Sequence, residues 1–155
     1  MNILIDAESC TGCVLCSLIC SLVKEGECNP SKARIYCESY MIEGLRYPRV
    51  CINCAEPACV EVCPTGALRK EEMSGYVVFD VETCTRCGAC VEACEFGGIR
   101  LSPEGDVIKC DLCGGDPQCV RVCATGAIRF AERQPQRLTR ARKGLTRCTE
   151  EVVQE

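Results

Sequence analysis

The sequence predicts an α+β fold in which two similar units, built from short β-hairpins and short helices, are followed by a helical C-terminal extension. Three observations predict it: sixteen cysteines fall into four blocks, the blocks alternate between two types, and only short strand-like and helix-like segments separate them. The 155 residues include 19 Cys, no Trp, no His, 3 Phe and 4 Tyr. Because large side chains are so scarce, we expect the cysteines to organise the core.

The four cysteine blocks share one pattern. They are Cys10-x2-Cys13-x2-Cys16-x3-Cys20, Cys51-x2-Cys54-x4-Cys59-x3-Cys63, Cys84-x2-Cys87-x2-Cys90-x3-Cys94 and Cys110-x2-Cys113-x5-Cys119-x3-Cys123. Residues 57–69 closely match residues 117–129, and residues 6–13 resemble residues 80–87. Blocks one and three are therefore of one type, and blocks two and four of the other. Each unit should hold one block of each type, which leaves block one free to pair with block four or with block two.

The local elements lie beside the blocks. Residues 3–6, 76–80, 107–109 and 127–130 are rich in β-branched and aromatic side chains and bounded by turn residues, so they are predicted to be short strands. Residues 14–24, 57–62, 89–93 and 117–122 are predicted to be short helices, and two of them open with a proline in the first turn.

The spacing within each block indicates a [4Fe-4S] cluster. One C-x2-C-x2-C loop supplies three thiolates to a cubane, and in proteins with two clusters the last cysteine of the run ligates the other cluster. Zinc needs only two cysteine pairs per ion and does not account for the third and fourth cysteine, and a thioredoxin-type dithiol lacks its βαβ context. The pattern therefore predicts four [4Fe-4S] clusters.

The N-terminal residues and the hydropathy bear on location. Only nine residues precede Cys10, which leaves no room for a secretory signal, and no apolar run approaches the ~20 residues of a membrane span. We therefore expect a cytoplasmic protein whose cysteines bind metal instead of forming a secreted disulfide scaffold.

The remaining composition argues against catalysis and nucleic-acid binding. Without His there is no imidazole base, and the chain has neither a phosphate-binding loop nor a dinucleotide-binding motif. The formal net charge is −4, and bound clusters would make it more negative, which disfavours nucleic acid as a partner. We predict no catalytic residue.

Three further segments carry a family resemblance, namely IDAESCTGC at 5–13, CNPSKARI at 28–35 and VCINC at 50–54. Together with the blocks, they make residues 3–130 resemble the four-cluster polyferredoxin subunits of molybdenum and tungsten oxidoreductases. Within that family the chain is most similar in type to the small iron–sulfur subunit that accompanies tungsten aldehyde ferredoxin oxidoreductase-like or benzoyl-CoA reductase enzymes. The resemblance implies two bacterial-ferredoxin-like units in residues 1–130, each around a pair of [4Fe-4S] clusters.

The resemblance also implies which cysteines share a cluster, with blocks one and four in one unit and blocks two and three in the other. We name the four implied ligand sets site 1 (Cys10, Cys13, Cys16, Cys123), site 2 (Cys20, Cys110, Cys113, Cys119), site 3 (Cys51, Cys54, Cys59, Cys94) and site 4 (Cys63, Cys84, Cys87, Cys90).

The implied function is that of a non-catalytic subunit that relays single electrons between a catalytic tungsten or molybdenum subunit, of the aldehyde oxidoreductase type, and a flavin-containing NAD(P)-linked subunit or a ferredoxin. Two alternatives stay open: a free polyferredoxin, and the iron–sulfur subunit of a hydrogenase or formate dehydrogenase complex.

Residues 131–155 form a basic tail of different composition. Leu138, Ala141, Leu145, Cys148 and Val152 recur at helical spacing, so the tail is either a solvated segment or an amphipathic helix that docks on the catalytic subunit or on another copy of the chain. Cys28, Cys37 and Cys148 lie outside the blocks. We give them no ligand role and expect small buried side chains.

Overall fold

The computed structural model describes residues 2–40 and 44–131. Within these residues the fold consists of four two-stranded antiparallel sheets, four α-helices and two short 3-10 helices, Pro30–Lys32 and Leu112–Gly115. β1 (Asn2–Ile5) pairs with β8 (Ile128–Ala131), β2 (Ile35–Tyr40) with β3 (Leu45–Val50), β4 (Leu68–Lys70) with β5 (Val77–Phe79), and β6 (Ile99–Leu101) with β7 (Val107–Lys109). The helices are α1 (Leu15–Glu25), α2 (Ala58–Glu61), α3 (Ala89–Glu92) and α4 (Gln118–Arg121). The predicted mixture of short strands and short helices is confirmed.

All eight predicted elements are present, and their bounds differ from the prediction by at most one residue. The prolines before α2 and α4 are the residues that precede each helix, one position earlier than a first-turn proline. Four strands were not predicted: β4 and β6, which have three residues each, and the longer pair β2 and β3. In this second pair Cys37 lies opposite Pro48.

The first and last described strands close the fold. Ile3 of β1 lies opposite Phe130 of β8, and Ile5 lies opposite Ile128. Ile3 and Ile128 are buried, because the pair packs its apolar side against the cysteine loops. This pairing brings the start of block one beside the end of block four.

The core consists of two groups of buried side chains. One contains Ile3, Ile35, Val50, Leu112 and Ile128, and the other contains Leu68, Val77, Ile99 and Val107. Six block cysteines belong to these groups: Cys20, Cys51, Cys110 and Cys119 to the first, and Cys59 and Cys90 to the second. The cysteines therefore occupy the positions that aliphatic and aromatic side chains fill in most domains, as expected from the composition.

Polar contacts connect the segments around these two groups. The guanidinium group of Arg100, on β6, donates hydrogen bonds to the carbonyl oxygens of Pro30, Ser31 and Ala33 and lies 4.9 Å from the ring centroid of Tyr36. The buried Lys109, on β7, donates to the carbonyl oxygens of Val77, at 2.5 Å, and Cys110, at 3.0 Å.

The predicted tail helix falls on residues outside the described ones, so it stays a prediction. Among the described helices, none combines the length and the apolar character needed to cross a membrane.

Candidate metal centres

The second residue between the first two cysteines of each block has a left-handed backbone. The φ angles are 70° at Gly12, 47° at Asn53, 57° at Arg86 and 57° at Leu112. Left-handed backbone costs most non-glycine residues roughly 1–2 kcal/mol. Its recurrence at four equivalent positions, three of them not glycine, indicates a functional constraint on the loops.

Site 1, site 2 and site 4 are cavities. Each is lined by the four cysteines of its set, and the spaces measure about 360 Å³ at site 1, 300 Å³ at site 2 and 300 Å³ at site 4, including their open mouths. Among residues 2–40 and 44–131, no group of three or more His, Cys, Asp or Glu side chains is arranged to hold a single metal ion. The thiols surround a space instead.

The cysteines of site 3 also lie together. Burial raises the pKa of Cys59 to about 11, and the neighbouring Cys51, Cys94 and Cys54 add to the rise. These three neighbours are the other members of site 3. The structure thus brings together the cysteines of each predicted set, and their role as cluster ligands stays a prediction.

Backbone amides point at the last cysteine of blocks one and three. The amide of Arg34 donates to Cys20 Sγ at 3.2 Å, and the amide of Gly98 donates to Cys94 Sγ at the same distance. Amide donors favour the thiolate form that binds metal.

The last cysteines of blocks two and four have equivalent surroundings. Burial raises the pKa of the Cys63 thiol, but hydrogen bonds from the Leu68 amide and from Thr65 outweigh it, so the pKa is lowered. The pKa of Cys123 is lowered in the same way, with Ile128 and Thr125 as the donors. In each case the threonine Oγ1 lies 3.8 Å from the cysteine sulfur.

The deeper thiols have the opposite shift. Burial raises the pKa of Cys110 to about 12, with smaller contributions from Cys51 and Cys20, and burial also raises the pKa of Cys119. So many buried thiols in contact cannot all ionise unless positive charge lies between them. Iron supplies that charge, and thiolates are the ligands that [4Fe-4S] clusters take, so the donor sets fit such clusters.

The four sites form a row. Cys16 and Cys20 on α1 join site 1 to site 2, and so do Cys119 on α4 and Cys123, two residues after the end of α4. In the same way site 3 is joined to site 4 by α2 and α3, which carry Cys59 and Cys90, and by the cysteines two residues after each helix, Cys63 and Cys94. Cys51 of site 3 and Cys110 of site 2 belong to the same group of packed, buried side chains. The order is therefore 1, 2, 3, 4.

Of the three cysteines outside the blocks, Cys37 lines the cavity of site 1. Burial raises its pKa to about 12, and the neighbouring Cys10 and Cys16 contribute. The expectation of a small buried side chain is wrong for Cys28, which is exposed because it lies in the polar turn after α1, and Cys37 is only half-buried. Cys148 lies outside the described residues. No sequence signal pointed to Cys37, because its place depends on the β2–β3 hairpin.

These features define an iron–sulfur protein that carries several [4Fe-4S] clusters on short ferredoxin-like elements. Residues 42–133 match the model of the 4Fe-4S dicluster domain, and the chain belongs to this family. It is an iron–sulfur electron-transfer protein of the class that serves oxidoreductase complexes.

Three proteins illustrate the similarity. The chain is 44% identical over 123 residues to the polyferredoxin-like subunit of an aliphatic sulfonate oxidoreductase from Pyrococcus furiosus, with 78% of this chain and 70% of that protein covered. It is 38% identical over 133 residues to the beta subunit of the NADH-dependent phenylglyoxylate dehydrogenase of Aromatoleum evansii, with 83% and 29% covered. It is 32% identical over 158 residues to the iron–sulfur subunit of the nitrate-inducible formate dehydrogenase of Escherichia coli, with 84% and 54% covered. The chain therefore spans only part of each relative.

A chain of the solved active-site complex of benzoyl coenzyme A reductase with benzoyl-CoA is similar in backbone, with 25% sequence identity and a TM-score of 0.49 over 97% of this chain and 92% of that chain.

Proposed function

We propose that the chain binds four [4Fe-4S] clusters, one at each of sites 1 to 4, and relays single electrons along the row. The observation that carries the proposal is the arrangement of four cysteine quartets, in which helical segments connect site 1 to site 2 and site 3 to site 4. When bound, each cluster accepts and releases one electron. The cysteines hold it, the backbone amides stabilise the ligand charge, and the buried aliphatic side chains exclude water.

We further propose that the chain itself is not catalytic and connects two redox partners. The first is a catalytic tungsten or molybdenum subunit of the aldehyde oxidoreductase type, and the second is a flavin-containing NAD(P)-linked subunit or a ferredoxin. The 44% identity to a polyferredoxin-like subunit of an oxidoreductase supports a role as a subunit. The similarity to part of an NADH-dependent dehydrogenase subunit supports a link to a nicotinamide-dependent partner.

A second candidate is the iron–sulfur subunit of a formate dehydrogenase or hydrogenase complex. The 32% identity to the formate dehydrogenase subunit favours it, although the chain spans only 54% of that protein. Affinity purification from the native host, followed by mass spectrometry of the co-eluting subunits, separates the candidates. An aldehyde oxidoreductase-like partner supports the first, and a formate dehydrogenase or hydrogenase catalytic subunit supports the second.

We propose that residues 132–155 contribute to assembly, on the catalytic subunit or on another copy of the chain. A variant that ends at Ala131 should keep its iron, because every proposed ligand is retained, and should elute later than the full chain when mixed with its partners. Unchanged elution would reject the assembly role.

The cluster assignment is tested by iron and acid-labile sulfide analysis of anaerobically prepared protein. Four clusters correspond to about 16 iron and about 16 sulfide per chain. Cys13→Ser at site 1 and Cys54→Ser at site 3 should each perturb one cluster. Cys28→Ser is the matched control, because Cys28 is exposed and outside every site. Zinc in place of iron, or an equal effect of the control, would contradict the assignment.

A further inference from the structure

The β2–β3 hairpin covers site 1. Cys37 on β2 and Pro48 on β3 lie opposite each other in the hairpin, and both line the cavity formed by the site 1 cysteines. The sheet at the equivalent position after block three, β6–β7, contributes Val107 to the cavity of site 4 and neither a cysteine nor a proline. Site 1 and site 4 therefore differ in what packs over their loops.

The hairpin places an arginine against the site 1 loop. A Cβ atom added to Gly12 would lie 2.6 Å from Cδ of Arg46 and 2.9 Å from its Nε, so the arginine side chain occupies the space that the glycine leaves. Arg46 Nη1 is buried and makes no hydrogen bond to a protein atom. A buried guanidinium nitrogen without an acceptor is costly unless negative charge lies nearby.

The internal repeat supplies a comparison, because Arg86 occupies the position in block three that Gly12 occupies in block one. Both residues have left-handed backbone. Arg86 is 62% exposed, and its Nε lies 2.7 Å from Oδ1 of Asp106. Arg86, beside site 4, is thus paired with a carboxylate and exposed, whereas Nη1 of Arg46, beside site 1, is buried and unpaired.

No charged side chain of the described residues lines the cavity of site 1 or of site 4. Arg46 packs against the site 1 loop at Gly12, and no charged side chain in the described cavity wall offsets its positive charge. A nearby positive charge stabilises the more negative, reduced form of a cluster.

We propose that the positive charge of Arg46 raises the reduction potential of the cluster at site 1 above that of the cluster at site 4. The inference rests on the proposed function. It gives the row a direction: at equilibrium, electrons that enter from the site 4 end accumulate at the site 1 end.

The test is a reductive titration of the full chain, followed by electron paramagnetic resonance, for Arg46→Gln, Arg46→Lys and the matched control Arg86→Gln. Cys13→Ser marks the transition that belongs to site 1. Arg46→Gln should shift the site 1 transition to lower potential. Arg46→Lys keeps the charge, so its site 1 transition should lie close to the wild-type potential. Arg86→Gln should leave the potential of the site 1 transition unchanged. Arg46→Gln without a shift, or an equal shift in Arg86→Gln, would overturn the proposal.

Iron analysis of the same samples separates this proposal from the one on which it rests. Wild-type protein with fewer than four clusters contradicts the cluster assignment and not the role of Arg46. Loss of one cluster in Arg46→Gln, but not in Arg46→Lys or Arg86→Gln, supports the role of the charge. Loss of one cluster in both Arg46→Gln and Arg46→Lys would mean that the arginine side chain only packs against the loop, and the proposal would fail.

Discussion

Gly98 marks the closest approach between the segments that meet at site 3. Its amide donates to Cys94 Sγ, and a Cβ atom at this position would lie 2.6 Å from Cα of Cys51 and 2.8 Å from its backbone nitrogen. Cys94 and Cys51 are both proposed ligands of site 3. Replacing Gly98 with Ala should therefore push apart the two chain segments that carry Cys51 and Cys94.

The size of the effect follows from what the new methyl group meets. Overpacking costs ~1–3 kcal/mol, and we take ~3 because the contacted atoms are backbone and cannot rotate away. The lower entropy of the unfolded alanine chain returns ~0.4–1 kcal/mol. The net loss is ~2 kcal/mol, which corresponds to a fall of roughly 4–8 °C in Tm for a chain of this size.

The assay is iron and sulfide analysis of Gly98→Ala beside thermal unfolding by circular dichroism. We expect the loss of one cluster, because the site 3 ligands separate. Gly105→Ala is the control: its φ of +86° makes alanine costly, but nothing lies within 4 Å of the added methyl group. If Gly98→Ala keeps the wild-type iron content, or if the control loses the same amount, the reasoning is refuted.

Three further predictions concern the buried hydrogen bonds of Lys109, the contacts of Arg100 and the removal of iron. Lys109→Met leaves two backbone carbonyl groups without their donor, at ~1–3 kcal/mol each, and should lower the denaturation midpoint; a midpoint equal to that of the wild type would count against the buried bonds. Arg100→Lys removes the guanidinium group, which donates to three carbonyls of residues 30–33, and weakens the contact with Tyr36. We expect a loss of ~2 kcal/mol in the same assay, and no loss would contradict it. Anaerobic removal of iron with a chelator should abolish most secondary structure, since cysteines belong to both buried groups, and an unchanged far-ultraviolet spectrum would show that the polypeptide packs without metal.

The elements beside the cysteine blocks could be predicted because ligand spacing constrains them. A cysteine four residues beyond the third ligand requires a helical turn, and α2, α3 and α4 follow from that requirement. The pairing of blocks could not be decided from the repeat alone, since block one was free to pair with block two or block four. In the structure Cys123, and not Cys63, lies with the block-one cysteines, where β1 pairs with β8.

The β2–β3 hairpin could not be predicted because its sequence argues against a strand pair. Pro48 cannot donate a ladder hydrogen bond, and the charged residues Glu38, Arg46 and Arg49 obscure the alternation of apolar and polar positions. In the structure two of these charged residues, Arg49 and Glu38, form an ion pair of 2.8 Å. The surroundings of site 1 depend on this hairpin, and for that reason neither Cys37 nor Arg46 could be found from spacing.

The middle of the row is held differently from its two ends. The chain segments that contain α1 and α4 connect site 1 to site 2, and those that contain α2 and α3 connect site 3 to site 4, so each of these pairs is held by the segments that carry its cysteines. Between site 2 and site 3 the connection depends on packing and polar contacts. Cys51 of site 3 and Cys110 of site 2 lie in the same buried group, and Lys109, next to Cys110, donates a hydrogen bond to the carbonyl oxygen of Val77. We expect substitutions at these contacts to change the separation of site 2 and site 3 while the cysteines of each pair stay together. With clusters bound as proposed, we predict that electron transfer between the halves is the step most sensitive to substitutions outside the cysteine blocks.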